Sequence, residues 1–350
     1  MGRETRPAVR AAPRPSAARA LLAAALVVGC DDRASDAELE RWLAEARVAE
    51  RREQAAHESE DEAASWTLTI LGELAGGRPI VLSNAELEDA STVAVGATPP
   101  LEGAAHGRYR GARIDELVAR AGGPRTGVEE VTLIASDGFR ATIAWRDVVA
   151  SPILLATYRD EGRLRREAGG PLLAVFPLDD RPDLLDRYTE SWWVYYVTHL
   201  VVGTPPASVR VGEQAFDAVA LAALPRTELV ASVGYRVGWP SEPARVAGPS
   251  LATLLDAAGL RLPDGGRVRV TGLATITRGA ERPTYVSADE VRSGQVVLGR
   301  TYGAEDRTIP ARLGGPLVLA FSDELARAHP EHDWLTFVTD LAVEAPEGPR

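Results

Sequence analysis

Beyond residue 65 the chain is written in short alternating and apolar runs. Trp66-Thr67-Leu68-Thr69-Ile70 alternates, and so does Arg140-Ala141-Thr142-Ile143-Ala144-Trp145. A period of two marks a strand with one buried face. Leu172 to Phe176 is an apolar run held between Gly-Pro and Pro177, which predicts a buried strand. Trp193 to Leu200 carries β-branched and aromatic residues, which also favour a strand. Two leucine-containing stretches instead follow helical spacing. One lies between Gly111 and Gly122, the other between Gly248 and Gly259. Each reads as a glycine turn, an amphipathic helix and a terminal glycine cap. The pattern predicts a β-rich α+β fold with few helices.

These runs recur. Arg110 to Gly122 matches Ala247 to Gly259, and Val131 matches Val268 at the same offset of 137. Ala141 to Val148 matches Thr284 to Val291 at 143, Gly169 to Phe176 matches Gly314 to Phe321 at 145, and Trp193 to Leu200 matches Trp334 to Leu341 at 141. Small changes of offset between ordered blocks mean loop insertions and deletions, which surface loops tolerate. The repeat sets two units, 66–203 and 207–344, joined by Gly203-Thr204-Pro205-Pro206-Ala207-Ser208, a short stiff linker. A total of 350 residues suits two domains.

The first 65 residues read differently. Arg3, Arg6, Arg10, Arg14 and Arg19 precede the apolar run Ala20 to Val28. That run is too short to span a bilayer core of about 30 Å as a helix, so 1–29 is expected to be a signal peptide. It ends Leu26-Val27-Val28-Gly29-Cys30 and resembles the bacterial lipobox. The resemblance implies lipidation of Cys30, cleavage before it and acylation of the new N-terminus. The other reading is a plain secretory signal with a coincidental Cys. Residues 30–65 are acidic and Ala-rich. Leu39, Trp42, Leu43 and Ala46 fall at helical spacing, so the segment is expected to be a tether with one helix, either a solvated spacer or a partner-binding helix. The expected location is the cell envelope, with a lipid anchor on the periplasmic or outer side of a membrane.

The net charge of −11 opposes nucleic-acid binding, which needs basic patches to displace phosphate counterions. All 39 basic residues are Arg and Asn84 is the single Asn, which reads as a compositional bias of the genome. Cys30 is the sole cysteine, so the chain has no internal disulfide.

The ordered series resembles a known family. Ser136-Asp137-Gly138-Phe139, Leu154-Leu155-Ala156-Thr157, Gly169-Gly170-Pro171-Leu172 and Pro177-Leu178-Asp179-Asp180 look like the oxidoreductase molybdopterin-binding domain of the sulfite oxidase type. Residues 66–203 resemble it well and 207–344 more weakly, since the second unit has Thr275 to Arg282 where Ser-Asp-Gly-aromatic belongs. The resemblance implies an α+β chain of two tandem β-rich copies of that fold, similar to the small exported members without the metal-binding Cys. In active members a thiolate before the glycine turn holds molybdenum, and a soft thiolate suits that chemistry. The corresponding stretches, Thr92 to Arg110 and Leu229 to Val246, contain no Cys. The family's Lys-Trp pair is replaced by Tyr195-Tyr196 and Thr336-Phe337. Sulfite-oxidase catalysis is therefore not expected in either copy, and no catalytic residue is assigned.

His106, Arg108 and Arg110 lie in the loop where the family keeps its cofactor ligand, and Arg pairs bidentately with phosphate, so an anion pocket is a candidate there. No cofactor is expected, with molybdopterin the possible exception. His329-Pro330-Glu331-His332-Asp333 and Asp179-Asp180-Arg181-Pro182-Asp183 lack the spacing of zinc and EF-hand sites and read as polar loops. His57 falls in the tether, and His199, aligned with Asp340, reads as a polar residue on a strand surface. Trp192, Trp193, Tyr195 and Tyr196 are expected to divide between the core and a surface or seam between the copies. Gly-x-Ser-x-Gly, Gly-x-Gly-x-x-Gly and P-loop motifs are absent. The leading expectation is a non-catalytic, membrane-tethered tandem module that binds a small ligand or an envelope protein. An oxidoreductase or cofactor carrier with altered ligation, and a structural scaffold, stay open.

Overall fold

In the computed structural model, alternation along Thr67–Gly72 becomes strand β1, with Leu68 and Ile70 fully buried. The structure describes residues 63–100, 103–231, 239, 243–273, 276–277, 280–281, 283–328 and 335–346. The segment expected to be a signal peptide, Cys30, almost all of the expected tether with His57, and the stretch His329 to Asp333 lie outside these residues. The described residues belong to one unit, Ala63–Arg350. Among them no helix is long and apolar enough to cross a membrane.

In the first half β1 is followed by β2 (Ile80–Ser83), α1 (Asn84–Ala90), β3 (Val93–Ala97), β4 (Gly107–Arg113) and α2 (Ile114–Arg120). Next come β5 (Glu130–Ala135), β6 (Arg140–Ala144), α3 (Trp145–Ala150), β7 (Leu154–Arg159), β8 (Gly162–Arg163), β9 (Leu173–Val175) and β10 (Val197–Val202). The second half holds β11 (Ser208–Val211), β12 (Gln214–Asp217), α4 (Ala218–Ala223), β13 (Thr227–Ala231), β14 (Ala244–Gly248), α5 (Leu251–Ala257) and β15 (Arg267–Gly272). It continues through β16 (Ile276–Thr277), β17 (Ala280–Glu281), β18 (Thr284–Ser287), α6 (Ala288–Arg292), β19 (Val296–Gly299), β20 (Thr301–Tyr302) and β21 (Arg307–Thr308). It closes with β22 (Val318–Phe321), α7 (Asp323–Ala328), β23 (Leu335–Thr336) and β24 (Val338–Glu344). The whole is mixed, mostly β-sheet with short helices.

One five-stranded sheet runs β2-β1-β10-β5-β6 and another β12-β11-β24-β15-β18. In each, the first and last long strands of the half pair in parallel, β1 with β10 and β11 with β24, while the other neighbours are antiparallel. A further sheet in each half runs from β3-β4-β7 and from β13-β14-β20. Local chemistry repeats as well. Ser83 opens α1 and Ser287 opens α6, each with a capping box completed by Glu86 or Glu290.

Two expectations need correction. Gly111 and Gly248 were expected to turn the chain, yet both sit inside strands, β4 and β14. Their lack of a side chain serves close packing: a Cβ would collide with the Leu155 carbonyl at Gly111 and the Leu298 carbonyl at Gly248. Trp193 to Leu200 was expected to be one strand, but β10 starts at Val197. Tyr196 stands at φ 57 in the left-handed region, as Phe337 does at φ 54 between β23 and β24, and this interrupts the extended run.

Each half has its own apolar core. The first is rich in rings, with Tyr109, Phe176, Tyr188 and Trp193 all buried; the second is built mainly from Val and Leu. A third buried cluster joins the halves: Ile134 and Val201 of the first pack with Ala311 and Phe337 of the second. Across the same boundary the linker's Thr204 hydroxyl accepts a hydrogen bond from the Ala311 N–H at 2.9 Å.

Candidate functional site

The strands place the three predicted anion-pocket residues on or beside β4. Arg108 and Arg110 are two apart and share a face, with buried Tyr109 pointing the other way. Arg110 is committed: its guanidinium lies 3.7 Å from the centre of the Tyr158 ring and donates to the Ser91 carbonyl at 3.0 Å. His106 Nε2 meets Asp179 Oδ2 at 2.8 Å, with both side chains about half exposed. Arg108 is exposed, and its backbone N–H donates to Asp160 Oδ1 at 3.0 Å. Each of the three residues thus has its own local partner, and none of them lines either of two cavities of about 480 and 130 Å³ among the described residues.

Molybdenum ligation through a thiolate does not fit this donor set. No Cys lies in either half, and the nearest metal-capable groups, His106 and Asp179, bind each other. Among the described residues no three His, Cys, Asp or Glu side chains come together as a metal-binding group. No chemical step is therefore derived through that cofactor.

His199 was expected on a strand surface. It is not on the surface: it is 5% exposed on β10, and its Nδ1 lies 2.9 Å from Thr198 Oγ1. Burial pushes its pKa down to about 4, so it is held neutral. Its counterpart Asp340 is partly buried and accepts from Arg210 Nε at 2.6 Å.

The larger cavity, about 480 Å³, opens where the halves meet. One wall is β6, an edge strand that presents Arg140, Thr142 and Ala144. The facing wall comes from the 3₁₀ turns Pro182–Asp186 and Glu190–Trp192 and carries Arg187, Tyr188 and Trp192. The rim holds Arg146 at the start of α3, and Arg312 from the 3₁₀ turn Ala311–Leu313 of the second half.

Hydrogen bonds fix this geometry. Trp192 Nε1 donates to the Thr142 carbonyl at 2.8 Å, and Tyr188 Oη accepts from the Ala144 N–H at 3.1 Å. Two aromatic side chains thereby occupy the open edge of β6, which blocks another strand from adding there. Tyr188 Oη also donates to Asp147 Oδ2 at 2.6 Å, and Arg187 reaches Asp147 Oδ1 at 3.2 Å. Burial, and then that bond to Asp147, push the Tyr188 pKa up to about 12. Phe176 stacks behind Tyr188, ring centres 5.0 Å apart. Arg140 is buried and donates from Nε to the Arg312 carbonyl at 3.2 Å, which ties the cavity to the second half. Arg312 reaches the Glu130 carboxylate at 3.4 Å. Arg146 is exposed, and its side chain makes no hydrogen bond or ion pair with a described residue.

Trp192 was legible as a residue at a surface or seam. Arg140, Arg146, Arg187, Tyr188 and Arg312 were missed. The available signal was the face of β6 that reads Arg140, Thr142, Ala144 against apolar Ile143, a pattern unsuited to sheet-on-sheet packing.

No protein-family model and no curated protein matches the sequence. Among solved structures, the chain is similar to the sulfane dehydrogenase SoxCD from Paracoccus pantotrophus, at 16% identity and a TM-score of 0.32, over 64% of this chain. The match spans 59% of that protein's own chain.

Proposed function

We propose that this chain is an envelope lipoprotein, anchored through Cys30, whose two halves are tandem molybdopterin-binding-like domains that act as a non-catalytic binding module. The cavity at the seam carries this reading. It combines aromatic walls from Tyr188 and Trp192 with arginines contributed by both halves. Such a site suits a small anion with a flat apolar body: the rings cover the body, and guanidinium groups meet the charge. Asp147 is spent on Tyr188 and Arg187, which leaves Arg146 as the open cation of the rim. The lack of any thiol in either half supports binding without molybdenum redox chemistry.

The test uses the full chain. It is purified from membranes and assayed for molybdenum and pterin, then screened by thermal shift against aromatic carboxylates and phosphates. The expected result is no stoichiometric metal or pterin, and a saturable shift that Arg146→Ala and Arg312→Ala both weaken. Stoichiometric molybdenum with substrate turnover would overturn the non-catalytic reading. Lipid labelling that persists in Cys30→Ala would overturn the anchor.

A further inference from the structure

The halves differ sharply at one point, where the helix after the first hairpin ends against the central strand of the second sheet. In the first half this point is neutral and satisfied. Ser91 caps the end of α1, donates to the Leu87 carbonyl at 2.7 Å and meets Thr157 Oγ1 of β7 at 2.8 Å. Both hydroxyl residues are 3% exposed.

The equivalent residues of the second half follow from the backbone. Leu224 caps α4 as Ser91 caps α1. Gly248 approaches the Leu298 carbonyl as Gly111 approaches that of Leu155, so the residue two further on is Arg300 where the first half has Thr157. A hydroxyl pair has been replaced by a leucine and a guanidinium.

Arg300 is poorly served by the protein. Its Nε is buried without any hydrogen-bond partner, and Nη2 has only the Ala218 carbonyl, at 3.4 Å. No described carboxylate lies within ion-pair distance of it. A guanidinium cannot shed its charge at physiological pH, and drawing that charge partly out of water without a partner is costly. Burial also holds its pKa below the usual guanidinium range.

Beside it lies a cavity of about 130 Å³, walled by Leu221, Leu224 and Pro249, with Arg226 and Asp306 at its side. Asp306 is not free to serve Arg300. Both of its oxygens are taken by Arg226, and Arg245 lies 4.0 Å from it. The charged lining therefore keeps one uncompensated positive charge, on Arg300. That volume leaves room for a small anion beside the guanidinium.

We propose that this cavity binds a small oxyanion, a carboxylate, sulfate or phosphate group, on the Arg300 guanidinium. The planar fork of N–H donors suits such a group, and the anion supplies both the missing acceptor and the missing charge. This site is separate from the seam cavity and does not depend on the function proposed for it.

Calorimetric titration of the full chain with phosphate, sulfate and acetate, at constant ionic strength, tests the proposal. The expected result is saturable one-to-one binding that Arg300→Met weakens by about tenfold or more, while Arg292→Met on the surface of the same half leaves it unchanged. Preference for acetate over the tetrahedral ions identifies a carboxylate ligand, and the reverse preference a sulfate or phosphate. The paired change Leu224→Ser with Arg300→Thr installs the neutral pair of the first half; it is expected to fold, by circular dichroism, and to lose the response. Absence of saturable binding in the folded wild-type chain, or binding that survives both Arg300 variants, overturns the proposal.

Discussion

The two halves share a strand order but not a chemistry. Each places a parallel pair at the centre of a five-stranded sheet and a glycine where two backbones nearly touch. Yet Tyr109, in contact with Trp193 in the first core, gives way to Val246 at the same strand position in the second. Where the first half has buried, neutral His199 the second has Asp340 paired with Arg210, and Ser91 with Thr157 corresponds to Leu224 with Arg300. The difference teaches that glycine is kept in both halves where any side chain would collide with a backbone carbonyl. Several positions that fill space or carry charge differ between the halves, and Arg300, which lines the smaller cavity, is one of them.

The most forceful way to break the comparison is to separate the halves. Phe337→Ala empties the shared cluster at Ile134, Val201 and Ala311 and is expected to cost about 3–5 kcal/mol. Urea unfolding is expected to show one transition for the wild type and two for the variant; a single unshifted transition in the variant would mean the halves are not coupled there. Next, Gly111→Ala and Gly248→Ala should each cost about 3 kcal/mol, because the new methyl meets a backbone carbonyl that cannot move aside. A large cost at one and none at the other would break the equivalence of the two positions.

His199 sharpens the contrast through pH. Its folded pKa, about 4, lies below the unfolded value near 6.5, so the unfolded chain binds the extra proton between them. The stability that His199 contributes is fully present above about pH 6.5 and is lost as pH falls towards 4, amounting to about 3 kcal/mol. His199→Gln should flatten that part of the stability profile, measured by denaturant midpoints from pH 7 to 4. An unchanged slope would show that the ring is already solvated. The smallest effect compares the capping boxes: Ser83→Ala and Ser287→Ala should each cost about 1 kcal/mol, read as equal shifts of the urea midpoint.

Much of the scaffold was legible. Alternation at Thr67 to Ile70 gave β1, helical spacing gave α2 and α5, and Gly122 and Gly259 stand at positive φ as helix-ending glycines do. The glycines of β4 and β14 were misread because a glycine needed for a turn and one needed for close approach look identical in one dimension. The surface placement of His199 failed because its burial comes from packing around β10, which the sequence does not display. The cavity at the seam was mostly hidden, because Arg140 and Arg312 are 172 residues apart and meet only when the halves dock.

By itself the sequence determined the β-rich class, the spacing of elements in each half and the lack of any thiol beyond Cys30, since these depend on local periodicity and composition. The tertiary structure alone decided which arginines face a cavity, which histidine is buried neutral and which cations are left without a described carboxylate. Those properties are set by distances between residues far apart in the chain, and only the packed sheets fix them.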